Sequence, residues 1–188
     1  MVEIVPYKTS WPSEFQEIAL VLRRGLGELA LRIDHVGSTS VPGLAAKDII
    51  DLQITVASLD DQVISAMTDL GYIKPQGIWR DHQPPNFSGS EAEWMKLFFQ
   101  PPPGQRRTNT HMRLQGRANQ RFALLFRDYL RAHPATADAY AELKRRLAQN
   151  LADPQMYPEV KDPAVDLIYL AAEDWAAATK WQPGPSDV

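Results

Sequence analysis

Residues 33–56 read IDHVGSTSVPGLAAKDIIDLQITV, and the spacing inside this stretch decides the fold. An apolar run ends at Gly37, the hydroxyl residues Ser38, Thr39 and Ser40 follow, and a second run then sets Ile50, Leu52, Ile54 and Val56 against Ile49, Asp51, Gln53 and Thr55. Alternation of this kind predicts a strand with one core face and one face carrying a polar pair. Residues two apart on a strand share a face, so Asp51 and Gln53 project side by side. A glycine at 37 lets backbone N–H groups approach an anion, and the three hydroxyls add donors. A donor-rich loop beside an acidic strand is an arrangement that can hold a phosphate and a metal ion together.

The flanking segments read as a mixed α/β chain. Ser10-Trp11-Pro12 opens a helix, with Ser10 as N-cap and Pro12 in the first turn, and Phe15, Ile18, Leu22, Leu26 and Leu29 make its buried face. Strands are expected at 31–36 and 49–56, and a short helix at 60–70 ends at Gly71 before an extended stretch at Tyr72-Ile73. The polar, proline-bearing segment 80–90 reads as an exposed, mobile loop. Strands at 93–100 and 108–115 flank Pro101-Pro102-Pro103-Gly104, which continues neither helix nor sheet, so the two strands suit a hairpin. From Ala118 onward the pattern is helical, with a break at His133-Pro134, a second helix over 137–151 and a third over 163–181. Residues 1–182 are expected to form one domain, and the QPGPSDV ending a loose tail over 183–188.

The chain has 188 residues and no cysteine, which excludes disulfides, thiolate metal sites and cysteine nucleophiles. No window approaches a membrane span, and the N-terminus has no basic region leading into a long apolar run, so a cytoplasmic location is expected. The net charge of −3 hides an asymmetry: residues 106–146 hold ten Arg or Lys against three acids, a local balance of +7. That excess suits a phosphorylated or carboxylated small molecule or the solvated faces of helices. No nucleic-acid-binding motif accompanies it, so nucleic acid is not the expected partner.

The strings HVGSTSVPGL (35–44), KDIID (47–51) and LFRDYLRAHP (125–134), with Tyr7, Trp11, Phe15, Tyr140, Leu143, Lys144, Tyr157 and Lys161, resemble the GrpB family. That family's fold is similar to the nucleotidyltransferase superfamily, which implies an α/β (α+β) architecture: a mixed sheet flanked by helices, with a helical C-terminal part. Similar domains occur fused to some bacterial dephospho-CoA kinases, which implies a link to nucleotide or CoA metabolism. The donor-rich loop, the same-face polar pairs and the local basic excess, taken with that resemblance, suggest a site. Asp51 and His111 are its catalytic candidates, Asp51 doubles as ligand for Mg2+, and Gly37, Ser38, Thr39, Ser40, Lys47, Gln53, Arg113, Arg127, Lys144 and Lys161 are its substrate-binding candidates.

Two departures stand out. Nucleotidyltransferases carry Asp-x-Asp or Asp-x-Glu where this chain has Asp51-Leu52-Gln53, and Gln53 keeps a carbonyl oxygen while losing the charge that draws a divalent ion. The resemblance leads to a His-x-His strand where the chain has His111-Met112-Arg113, and a guanidinium clamps anions but ligates no metal. Both make the site more positive and less suited to a metal. Three functions fit: group transfer on a nucleotide or other anionic metabolite, a non-catalytic binding or accessory module, and acid–base or condensation chemistry built on Asp51 and His111. His35 reads as a core imidazole. Lys47 has Asp48, Asp51 or a ligand phosphate within reach.

Overall fold

The alternation at 50–56 is realised as β2 (Ile50–Val56), the second strand of a four-stranded sheet in a computed structural model that describes residues 2–85 and 87–188. Its neighbours are β1 (Arg32–Val36), antiparallel to it, and β4 (Thr108–Leu114), parallel to it. β3 (Lys96–Phe99) pairs antiparallel with β4, giving the order β1-β2-β4-β3. The expected hairpin is therefore present, and the strands of Asp51 and His111 are adjacent.

Ile50, Leu52, Ile54 and Val56 join Ile33, Phe99 and Met112 in a core covered by α1 (Trp11–Leu26) and α2 (Asp61–Asp69). From α1, Trp11, Phe15, Ala19, Leu22 and Leu26 are buried, at the helical spacing that predicted this face. The second layer is helical: α3 (Ala118–Ala132), α4 (Pro134–Asn150) and α5 (Tyr157–Thr179) build a separate core with Val41, Leu44 and Ala45. No helix among the described residues is long and apolar enough to cross a membrane.

The helical layer meets the polar face of the sheet through hydrogen bonds. Gln53 Nε2 donates to the Gln120 carbonyl at 3.1 Å, Arg127 to the His35 carbonyl at 3.1 Å, Arg131 to the Ser40 carbonyl at 2.9 and 3.0 Å, and Lys144 to the Ala45 carbonyl at 2.5 Å. Two of these contacts join α3 to strands, Gln53–Gln120 and Arg127–His35, and two join α3 and α4 to the connection between β1 and β2, at Ser40 and Ala45.

Several elements differ from the sequence expectation. Ser10 makes no side-chain cap; its hydroxyl donates to Glu14 at 2.6 Å instead. Residues 91–94 form a 3-10 turn where a strand was expected, because Glu93 turns its carboxylate to the Ala118 N–H, at 3.0 Å, and to Arg117. The extended stretch at 72–73 is a single bridge from Ile73 to Gln100. α4 starts at Pro134, and α5 starts at Tyr157 and runs through Pro163. The proline costs α5 one hydrogen bond, while buried Val165, Ala172 and Ala176 beyond it hold the helix in place.

The tail expected to be loose lies along β1. Ile33 N–H donates to Ser186 Oγ at 2.9 Å, His35 N–H to Asp187 Oδ2 at 2.9 Å, and Val188 N–H to the Ile33 carbonyl at 3.3 Å. β1 is an edge strand, and these contacts satisfy its outward backbone groups. Residues 73–81 cover the opposite edge: Lys96 N–H donates to Trp79 O at 2.9 Å, and Asp81 N–H to Trp94 O at 2.8 Å.

His35 is the core imidazole the sequence suggests. It stacks on Phe15 at a centroid distance of 4.7 Å and meets Thr39 Oγ1 at 3.0 Å. Burial, with the Arg131 and Arg127 cations nearby, pushes its pKa down to about 3. The folded protein therefore refuses a proton that the unfolded chain accepts near the ordinary value of 6.5. Stability conferred above that pH is lost as pH falls toward 3, by at most about 1.4 kcal/mol per pH unit from this group. Urea unfolding at a series of pH values from neutral downward should show this loss, and His35→Phe should flatten it; an unchanged slope in the variant would assign the acid sensitivity elsewhere.

Candidate functional site

The parallel register of β2 and β4 sets Asp51 opposite Asn109, Gln53 opposite His111 and Thr55 opposite Arg113, so one sheet face carries a block of polar side chains. Between this face and the helical layer lies a cavity of about 350 Å³, within the usual size range of small-molecule sites. Of the expected site residues, Gly37, Ser38, Thr39, Lys47, Asp51, His111, Arg113, Lys144 and Lys161 line it.

Gly37 stands directly over Asp51. Its φ of 70° is in the left-handed region, and a Cβ there would collide with Asp51 Oδ2 and lie 2.9 Å from the carboxyl carbon. Only glycine suits that turn. Asp51 Oδ1 accepts from Asn109 Nδ2 at 2.8 Å. Burial raises the Asp51 pKa, against the lowering effects of Asn109 and of the Arg113, Lys161 and Lys96 cations. A carboxyl group shifted upward beside a cavity is suited to moving a proton.

The expected anion clamp, Arg113, is committed elsewhere. Its Nε and Nη2 grip Asp81 in bidentate fashion, both at 2.8 Å, and Nη1 donates to Gln53 Oε1 at 2.7 Å. Gln53 is consequently tied on both ends of its amide, to Arg113 and to Gln120, and does not line the cavity. Asp81 comes from the segment expected to be exposed and mobile. Instead it also accepts from Lys96 Nζ at 2.6 Å and Asn119 Nδ2 at 3.0 Å. Burial would raise its pKa, but Arg113 in contact and Lys96 beside it hold the carboxyl well below the usual range.

Lys96 also donates to His111 Nδ1 at 3.1 Å. With Lys96 ion-paired to Asp81 and hence charged, His111 Nδ1 is an acceptor and its proton sits on Nε2. Burial, then the Lys96 and Arg113 cations, push its pKa well below the ordinary imidazole value. His111, which lines the cavity, is thereby a neutral imidazole and a poor base, which narrows the acid, base or ligand role expected for it.

Two further candidates serve the fold. Ser40 Oγ donates to the Gly37 carbonyl at 2.6 Å and shapes the turn. Arg127, 3% exposed, binds the His35 carbonyl, Asp128 at 2.7 Å and Asp187 at 3.0 Å, away from the cavity. The basic excess of residues 106–146 is likewise dispersed: among the described residues only Arg107 and Lys144 of those ten lack a carboxylate within ion-pairing distance.

Sequence reasoning missed Asp81, His82, Asn109 and Asn119. His82 meets Asp166 of α5 at 2.9 Å and joins the 80–90 segment to the cavity wall. Asn109 was within reach, because it shares the period-two face of His111 and Arg113. Asp81 had no local signal; only the need to neutralise a buried Arg113 points to it. The remaining wall is aromatic, from Phe122, Phe126, Tyr140 and Tyr157.

This architecture, a mixed sheet with a glycine turn poised over an acidic strand, is a nucleotidyltransferase-like α/β fold. The structure of Cid1 in complex with its short product ApU matches it with a TM-score of 0.51 at 12% identity, over 77% of this chain and 43% of that one. The crystal structure of the conserved protein GrpB from Enterococcus faecalis matches with a TM-score of 0.74 at 29% identity, over 92% of this chain and 99% of that one. Residues 1–170 match the family described as GrpB protein, and the chain belongs to the GrpB family. It is 38% identical over 197 residues to a dephospho-CoA kinase of Mycolicibacterium paratuberculosis, covering 97% of this chain and 48% of that protein. It is 33% identical over 176 residues to the UPF0157 protein BH1888 of Halalkalibacterium halodurans, covering 91% of this chain and 82% of that protein. The chain thus spans about half the length of the kinases it matches.

Asp81→Ala should strand Arg113 and Lys96 as buried unpaired cations and cost about 3 kcal/mol in chemical denaturation. A cost near zero would mean that water replaces the carboxylate. Gly37→Ala should cost about 1–3 kcal/mol through the left-handed backbone and the clash with Asp51. A variant as stable as the parent would show that the turn can move away from the strand.

Proposed function

We propose that the protein binds a small phosphorylated or carboxylated metabolite, a nucleotide or CoA precursor included, in this cavity, and that Asp51 moves the proton in a group-transfer reaction on it. The observation that carries this reading is the upward-shifted Asp51 carboxyl beneath the Gly37 turn, facing Lys47, Lys144 and Lys161 across the cavity. Ser38 and the neutral His111 N–H supply donors that position the ligand. A cysteine-free chain with no membrane-crossing helix among its described residues suits work on such metabolites in the cytoplasm.

Magnesium fits these residues poorly. Asp51 offers a single carboxylate, the Gln53 oxygen is taken by Arg113, and no three His, Asp or Glu side chains among the described residues are grouped as metal ligands. The same Gln53–Arg113–Asp81 lock favours a second reading, a binding or accessory module that keeps the fold and performs no transfer.

The relatives named dephospho-CoA kinase direct the first ligands to try: ATP, dephospho-CoA and CoA, titrated calorimetrically with and without magnesium. Binding of at least one, indifferent to chelator, is expected. Asp51→Asn should abolish turnover without weakening binding, because it removes a negative charge from an anion site. Tight binding with no turnover in the unaltered protein would favour the accessory module. Silence toward all three ligands, or strict dependence on magnesium, would overturn the proposal.

A further inference from the structure

Three amines converge on the cavity from three separate segments: Lys47 from the loop before β2, Lys144 from α4 and Lys161 from α5. Their neutralisation is incomplete. Lys161 has Asp162 at 3.5 Å, but Lys47 and Lys144 make no ion pair among the described residues. They lie instead over aromatic rings, Lys47 at 4.1 Å from the Tyr157 centroid and Lys144 at 4.6 Å from that of Tyr140. A ring face compensates only part of the cost of burying an ammonium.

Lys144 is the extreme case. It is 3% exposed, and its Nζ donates to Ser38 Oγ at 2.9 Å and to the Ala45 carbonyl, both neutral acceptors. Because Ser38 Oγ accepts from Lys144, its own hydrogen is free for a ligand. Like charges held together in a desolvated pocket are costly until an anion joins them, and lysine serves as a point charge for phosphoryl oxygens.

We propose that Lys47, Lys144 and Lys161, with the Ser38 hydroxyl, form the seat for a phosphoryl group of the ligand, in place of Arg113, and that Lys144 takes up a proton when the group binds. The proposal rests on the cavity being an anion site. The groups acting on Lys144 are Lys161 on α5, Asp51 on β2 and Arg145 on its own helix, with Tyr140 and Tyr157 alongside. Burial first, then the Lys161 cation, push the Lys144 pKa down to about 7, with Asp51 opposing, while Lys161 also lowers Lys47. A bound anion reverses the repulsion and restores the charged amine.

Inorganic sulfate tests this as a phosphoryl mimic that does not titrate near neutral pH, so any linked proton belongs to the protein. In calorimetry on the full chain, sulfate affinity should fall, by up to tenfold per pH unit, as the pH rises above about 7. Lys144→Met should weaken binding at least tenfold and make the residual affinity independent of pH. Lys161→Met should weaken it too, and provides the decision if Lys144→Met does not fold. Arg146→Met, on the solvated face of α4, should change nothing. An affinity flat with pH in the unaltered protein would overturn the proton uptake. Sulfate and ATP binding unmoved in both lysine variants would overturn the seat while leaving the anion-site reading intact. Failure of both sulfate and ATP to bind the unaltered protein would overturn that reading and the seat with it.

Discussion

The Arg113 guanidinium, gripped by Asp81 on one side and by Gln53 on the other, is the interaction on which the arrangement of the site depends. A cation at 6% exposure is tolerable only when its donors are satisfied, and here three of its nitrogens are. Asp81 supplies the opposite charge while also binding Lys96 and Asn119, so a single carboxylate ties the 80–90 segment to β3, β4 and the start of α3. Gln53 carries the chain of contacts onward to the Gln120 carbonyl. The polar face of the sheet is thereby joined to the helical layer by a connected network.

That mode of joining explains why a cavity exists. The opposite face of the sheet is apolar and packs against α1 and α2 with its aliphatic side chains interdigitated. The polar face cannot be covered in the same way, because Asp51, His111 and Arg113 each require a partner. Helices α3, α4 and α5 therefore keep their own core; α3 touches the sheet at Gln53 and His35, α4 touches the loop before β2 at Ala45, and space is left between those contacts. Three groups facing that space have their ionisation perturbed by the fold: Asp51 upward, His111 and Lys144 downward. Opposed shifts around one cavity are characteristic of sites that bind charge or transfer protons.

Relative to a paired-carboxylate metal strand, the chemistry of this face is rearranged. One carboxylate remains at Asp51; the position two residues on holds an amide engaged by a guanidinium, so positive charge that a metal ion would bring is already covalently present. Membership of the GrpB family and likeness to nucleotidyltransferase-like folds fix the architecture, and fold by itself leaves chemistry open. The side chains of this cavity are what argue for an anionic ligand.

Much of this was legible in the chain. Period-two alternation over 50–56 specifies a strand with Asp51 on its polar face, and the three- and four-residue spacing from Phe15 to Leu26 specifies a helix with one buried side, because both are local consequences of backbone geometry. The glycine turn before Asp51 was readable for the same reason. Local pattern carries no information about which distant group neutralises a buried charge. Asp81 lies 32 residues before Arg113 in a segment whose composition reads as exposed loop, and Asp187 caps β1 from a tail that reads as loose. Ten basic residues in sequence look like one patch, yet folding pairs five of them with acids from other elements and three with acids on their own helix, and leaves Lys144 at the cavity with no ion pair among the described residues. Strand and helix identity follow from short-range sterics and hydrophobic period; the charge map of the site follows from long-range pairing, which exists only once the tertiary structure has formed.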